Sequence, residues 1–120
     1  MNDSELGLVE ARFADLIWQH APVASGVLVQ LSAAEIGWKK STTYTVLKKL
    51  CGRGLFANEN GTVRVIVSRE EFYAARSARF VKEHYSGSLP AFVAAFARQK
   101  TLSAEDVAEL RRIIDSYTGE

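Results

Sequence analysis

Three segments with helical apolar spacing within the first 52 residues, followed directly by an Asn-Gly turn between two β-prone runs, predict a mostly α fold with a small β-hairpin wing. Helix, helix, helix, hairpin is the order of a winged helix-turn-helix. Beyond the hairpin the spacing turns helical again and stays so to the end of the chain. The expected division is a winged helix-turn-helix over 1–67 and a helical region over 68–120.

Val9, Phe13, Leu16 and Ile17, with Trp18 beside them, recur at i, i+4, i+7 and i+8 and predict a helix from about Gly7 to His20. Pro22 blocks its continuation, and His20 suits the helix C-terminus, where a cation meets the dipole. A shorter helix opens near Ser25 or Gly26 and places Val27, Leu28 and Leu31 on one side. Leu31 to Trp38 reads as a connection holding one more turn. Ser41 is then the expected N-cap of a third helix running to about Gly52, with Thr43, Val46, Leu47 and Leu50 inward. At 100° per residue, Ser41, Tyr44, Thr45, Lys48 and Lys49 fall on or beside its opposite face, with Thr42 at the margin. Gly52 and Gly54 stop the helix. Leu55-Phe56-Ala57 and Thr62 to Val67 flank Asn58-Glu59-Asn60-Gly61, and Asn-Gly supplies the positive φ that a tight hairpin needs.

In the second region Ser68 and Glu71 form a capping box, opening a helix that carries Phe72, Ala75, Arg79 and Phe80 and ends near Ser86-Gly87-Ser88. A short helix with Leu89, Phe92, Val93 and Phe96 follows, with Pro90 in its first turn. Ser103 caps the last helix, which carries Val107, Leu110, Ile113, Ile114 and Tyr117. Three short amphipathic helices bury their apolar faces poorly on one another. The expected remedy is a core shared with a second copy, so Phe72, Phe80, Leu89, Phe92, Val93, Phe96, Val107, Leu110, Ile113 and Ile114 are the candidate dimerisation residues.

Composition narrows the class. The chain has 120 residues, 48% hydrophobic and 24% charged, and no apolar run long enough for a membrane span. The acidic start Met1-Asn2-Asp3-Ser4-Glu5 lacks the layout of a signal peptide, and the single cysteine, Cys51, fits a reducing compartment; a cytoplasmic protein without membrane insertion is expected. The net charge of +1 conceals an asymmetry: residues 38–69 carry seven basic side chains against Glu59, a net of +6, while 1–37 carry a net of −4 and 70–120 a net of −1. A basic segment between acidic ones suits a polyanion.

No Gly-rich phosphate loop, nucleophile elbow or H-E-x-x-H pair is present, so an enzyme is not expected. His20 and His84 have no Cys or carboxylate at ligand spacing, and neither a metal site nor a cofactor is expected. Cys51 reads as a half-buried packing residue. The third helix is the better candidate, because reading a major groove needs short polar side chains at the groove floor and cations near the phosphates. Ser41, Thr42, Tyr44 and Thr45 suit the first task, and Lys39, Lys40, Lys48, Lys49 and Arg53 the second; Arg64 on the hairpin reaches backbone phosphate or the minor groove. Double-stranded DNA is thus the expected partner. The alternatives are a winged-helix module that binds protein, and a ligand-sensing regulator whose pocket Phe80, Phe92 and Phe96 would line.

The run from Trp38 to Leu55 resembles the recognition-helix segment of penicillinase repressors of the BlaI/MecI type, through Trp38, Thr42, Thr45, Leu47, Lys49-Leu50 and Arg53-Gly54. Leu8, Glu10, Ile17 and Trp18 resemble the family's opening helix; Phe80, Tyr85 to Leu89 and Leu102 to Leu110 resemble its C-terminal half. The resemblance implies a homodimeric repressor on a dyad-symmetric operator, with an N-terminal winged helix on DNA and a C-terminal helical dimerisation region. In the antibiotic-resistance members a membrane sensor-protease system relieves repression by cutting an Asn-Phe bond. Such a system is the implied further partner, although this chain has Ala95-Phe96 at the corresponding place. The C-terminal cysteine cluster of the copper-responsive relatives has no counterpart here.

Overall fold

A computed structural model describes residues 6–117. The elements in chain order are α1 (Leu8–His20), β1 (Val23–Ala24), α2 (Ser25–Glu35), α3 (Lys40–Gly52), β2 (Phe56–Glu59), β3 (Thr62–Val65), α4 (Arg69–Tyr85), α5 (Leu89–Gln99) and α6 (Ala104–Tyr117). The chain falls into two compact units, Met1–Ser77 and Ala78–Glu120.

In the first unit, α1 turns Phe13, Ala14 and Ile17 into the core. Val9, expected on this stripe, is exposed, and Leu6, just ahead of the helix, is buried. The second helix is longer than its sequence suggested: α2 runs on through Glu35, with Leu28 and Ser32 buried and Val27 exposed. The inward stripe therefore continues into the segment expected to be a connection. What ends α2 is Gly37, at φ +79°; its amide and that of Ile36 both donate to the Ser32 carbonyl, each at 2.9 Å.

The hairpin pairs Phe56 with Val65 and Glu59 with Thr62, antiparallel. Asn60 (φ 54°) and Gly61 (φ 85°) make the two-residue turn with both residues left-handed, the geometry whose twist matches the strands. Val63 and Phe56 point into the core. The sheet has a third strand that the sequence did not announce. β1 pairs with β3 through Val23 opposite Val63 and Ala24 opposite Thr62, so the order is β1-β3-β2. Two residues directly after Pro22 are too few to show a period.

Thirteen residues form α3, Lys40 to Gly52, with Thr43, Leu47 and Leu50 buried. Leu55, Phe56 and Leu50 extend the same core, and Trp38 lays its ring against Phe13 at 5.2 Å between centroids. The first turns of α4 close the unit: Trp18 stands 5.9 Å from Phe72 and 6.2 Å from Tyr73, and the Trp18 indole donates to the Val67 carbonyl at 3.0 Å. The capping box at the start of α4 forms as expected. The Glu71 amide donates to Ser68 Oγ at 3.0 Å, and the Ser68 amide to Glu71 Oε1 at 2.9 Å.

In the second unit Ser88 caps α5 by accepting from the Ala91 amide at 3.1 Å, and Ser103 caps α6 by accepting from the Asp106 amide at 3.0 Å. Phe80, Tyr85 and Phe92 cluster at centroid distances of 5.5–6.2 Å. Neither α5 nor α6 buries a single residue fully.

Candidate nucleic-acid interface

The inward stripe of α3 decides what its outer face presents. With Thr43, Leu47 and Leu50 buried, Ser41, Thr42, Thr45, Lys48 and Lys49 are exposed on the other side, and Lys39 and Lys40 stand exposed at its start. Ser41 is not the cap. The helix begins at Lys40 with Lys39 in the N-cap position and no side chain closing it, because Ser41 already lies within the helical ladder. The Ser41 carbonyl accepts the Thr45 hydroxyl at 2.9 Å. That bond consumes the Thr45 hydrogen, so Thr45 offers a ligand its oxygen lone pairs and its methyl group. Thr43, two residues earlier and on the inward side, donates to the Lys39 carbonyl at 3.2 Å.

Tyr44 is half-buried, and its hydroxyl lies 3.2 Å from that of Ser25 at the start of α2. This contact ties the two helices of the helix-turn-helix together outside the apolar core. Arg53 is half-buried at the C-cap of α3, and its amide donates to the Lys49 carbonyl at 3.1 Å. Arg64, exposed on β3, pairs with Glu59 on β2 at 2.9 Å.

No carboxylate belongs to α3 itself. The one that reaches it comes from α1: Glu10 Oε2 holds Lys49 Nζ at 2.7 Å, while its Oε1 accepts the Gly7 amide at 3.3 Å. The Lys49 ammonium, followed by the Gly7 amide and the charge of Arg53, holds the Glu10 carboxyl below its ordinary value. Among the described residues no ion pair involves Lys39, Lys40 or Lys48. Glu10, Ser25 and Glu59 carried no site signal in the sequence, since their partners are brought close only by folding.

The candidate dimerisation residues divide. Phe72 is buried in the core of the first unit and presents no free face. Phe80, Leu89, Phe96, Ile113 and Ile114 are exposed, while Phe92, Val93, Val107 and Leu110 are half-buried. Phe92, Val93, Phe96, Leu102 and Leu110 line an open apolar groove of about 410 Å³, with Asp106 and Glu109 also on its walls.

Cys51 is half-buried, and burial pushes its thiol up. Among the described residues no group of three or more His, Cys, Asp or Glu could hold a metal ion, and no helix is long and apolar enough to cross a membrane.

A helix-turn-helix with a two-stranded wing, presenting a polar and basic third helix, defines a DNA-binding regulator of the winged-helix class. Within that class the penicillinase repressor profile matches residues 6–116, and the chain belongs to that family. It is 24% identical over 121 aligned residues to the penicillinase repressor of Bacillus licheniformis, covering 98% of this chain and 91% of that protein. It is 20% identical over 115 residues to the methicillin resistance regulatory protein MecI of Staphylococcus aureus, covering 92% and 94%. The chain is a DNA-binding transcriptional repressor, of a family of regulators and not of enzymes.

Proposed function

We propose that this repressor is a cytoplasmic homodimer that silences a promoter by occupying a dyad-symmetric operator, with 1–67 reading DNA and 68–120 holding the dimer together. One observation carries the reading most: the outer face of α3 combines Ser41, Thr42 and Thr45 with exposed Lys39, Lys40 and Lys48, and no carboxylate stands on that helix. Short hydroxyl side chains suit base edges, and the lysines suit the flanking phosphates. Two such helices enter successive major grooves when the dimer holds them about 34 Å apart, or a multiple of that distance.

For the dimer, the support is the apolar groove of the second unit together with the exposed Ile113 and Ile114 of α6. A second copy is the occupant with matching chemistry, since each copy offers both a groove and an apolar helix. Relief of repression is proposed to involve a sensor-protease system acting on the second unit. The Ala95-Phe96 bond lies inside α5, so a protease could cut there only after α5 opens locally.

The test is fluorescence anisotropy with duplexes from the region upstream of this chain's own gene, against a scrambled duplex, across a salt series. A preference of ~10³-fold or more for the native duplex, with affinity falling steeply with salt, is the expected result. No binding to either duplex at low salt would overturn the reading in favour of a protein-interaction module.

A further inference from the structure

The two adjacent lysines near the end of α3 look equivalent in sequence and are not equivalent in the fold. Successive residues of a helix point 100° apart, so Lys48 and Lys49 lie on opposite flanks of the outer face centred on Thr45. The flank carrying Lys49 meets α1, and there Lys49 Nζ closes on Glu10 Oε2 at 2.7 Å. The Glu10 side chain is 23% exposed, against 55% for Lys49, and its second oxygen is already engaged by the Gly7 amide at the start of α1. The carboxylate is thus held in place from behind, beside the positive end of the α1 dipole, before the lysine reaches it. Lys48 has no such partner among the described residues.

We propose that Glu10 is a positioning residue for DNA binding: its carboxylate withholds Lys49 from the phosphate backbone and braces the C-terminal half of α3 against the start of α1, leaving Lys48 as the phosphate contact of that turn. The inference rests on the reading of α3 as the recognition helix. A phosphate oxygen and a carboxylate offer Lys49 the same kind of acceptor. The carboxylate belongs to the same chain and is already oriented, so Lys49 keeps it in place of a phosphate, and no counterion leaves the DNA on its account. Each lysine that does neutralise a phosphate adds about 0.9 to the slope of log K against log salt.

The experiment measures that slope by anisotropy on one operator duplex for the full-length chain and for Lys48→Ala, Lys49→Ala, Glu10→Gln and the double variant Glu10→Gln/Lys49→Ala. Glutamine at the third helical position retains an acceptor for the Gly7 amide, so the start of α1 is preserved. Lys48→Ala is expected to flatten the slope by about 0.9, while Lys49→Ala leaves it unchanged. Glu10→Gln releases Lys49 and steepens the slope by up to about 0.9, and adding Lys49→Ala removes that gain. The double variant separates a freed lysine from the mere loss of a negative charge, which would persist without Lys49. A Lys49→Ala slope as flat as that of Lys48→Ala, or a Glu10→Gln slope equal to that of the wild type, would overturn the proposal. If Lys48→Ala and Thr45→Ala also bind as the wild type does, the assignment of α3 itself has failed, and this inference falls with it.

Discussion

The Trp18 indole donates a hydrogen bond to the main-chain carbonyl of Val67 at 3.0 Å, joining α1 to the segment that leaves the wing for α4. The same ring stands 5.4 Å from Phe56, 5.9 Å from Phe72 and 6.2 Å from Tyr73. One side chain of the first helix therefore touches both the hairpin and the start of the fourth helix. It anchors the first turns of α4 against α1 and the wing.

Trp18→Phe keeps most of the apolar contact and deletes the donor to Val67. The expected loss of unfolding free energy is about 1–2 kcal/mol, read from the shift in urea midpoint at constant m-value. A midpoint equal to that of the wild type would show that water satisfies the carbonyl equally well.

Thr45 and Lys48 share a face and should fail differently. Thr45→Ala keeps the β-carbon but removes the oxygen and the methyl, so it is expected to lower the preference for the operator over a scrambled duplex by about 1 kcal/mol, with the salt slope intact. Lys48→Ala should weaken both duplexes alike. Anisotropy on the two duplexes reads both effects.

For the dimer, the sharpest test is charge on the free face of α6. Ile113 and Ile114 are 44% and 54% exposed, so Ile113→Asp/Ile114→Asp adds no charge to the interior of one chain. The expected outcome in sedimentation equilibrium is a shift from dimer to monomer, with the helical circular dichroism retained. A dimer of undiminished stability would place the contact elsewhere.

Acid should loosen the first unit through two carboxyls. Hydrogen bonds from Lys49 and then Gly7 lower the pKa of Glu10, and those from the Ser68 amide and hydroxyl lower that of Glu71, both below the ordinary 4.5. A depressed folded-state pKa means that the stability is present above the unfolded value and is lost as pH falls through the folded one. The urea midpoint is therefore expected to fall as the pH drops below the ordinary value of 4.5, and to fall less in Glu10→Gln and Glu71→Gln. An identical pH profile in the variants would show that other carboxyls control acid unfolding.

Gly61 holds φ +85° in the hairpin turn, a region that an L side chain enters only with strain. Gly61→Ala should destabilise the fold by about 1–2 kcal/mol although open space surrounds the new methyl, as a thermal melt would show.

Most of the element order was legible because its signals are local. Ser68 and Glu71 are three residues apart and cap the helix they begin; Asn60 and Gly61 are neighbours and make the turn they announce. Thr43, Leu47 and Leu50 share a face by helical arithmetic alone, which also exposed the polar side of α3. Short or ambiguous signals mislead: Ser41 resembles a cap but sits inside the helix, and α2 runs past the point where its period fades.

The sequence by itself determined the class of fold, the charge of the third helix and its outward face, since propensity, capping and periodicity all act within a few residues along the chain. Only the tertiary structure decided which of those side chains are free to bind. Lys49 meets Glu10 across 39 residues, Trp18 meets Val67 across 49 and Arg69 meets Asp15 across 54. β1 exists because Val63 passes beside Val23, and Phe72 is buried because Trp18 lies next to it. Such pairs form when burial of the core brings distant segments together, and no local rule along the chain specifies them.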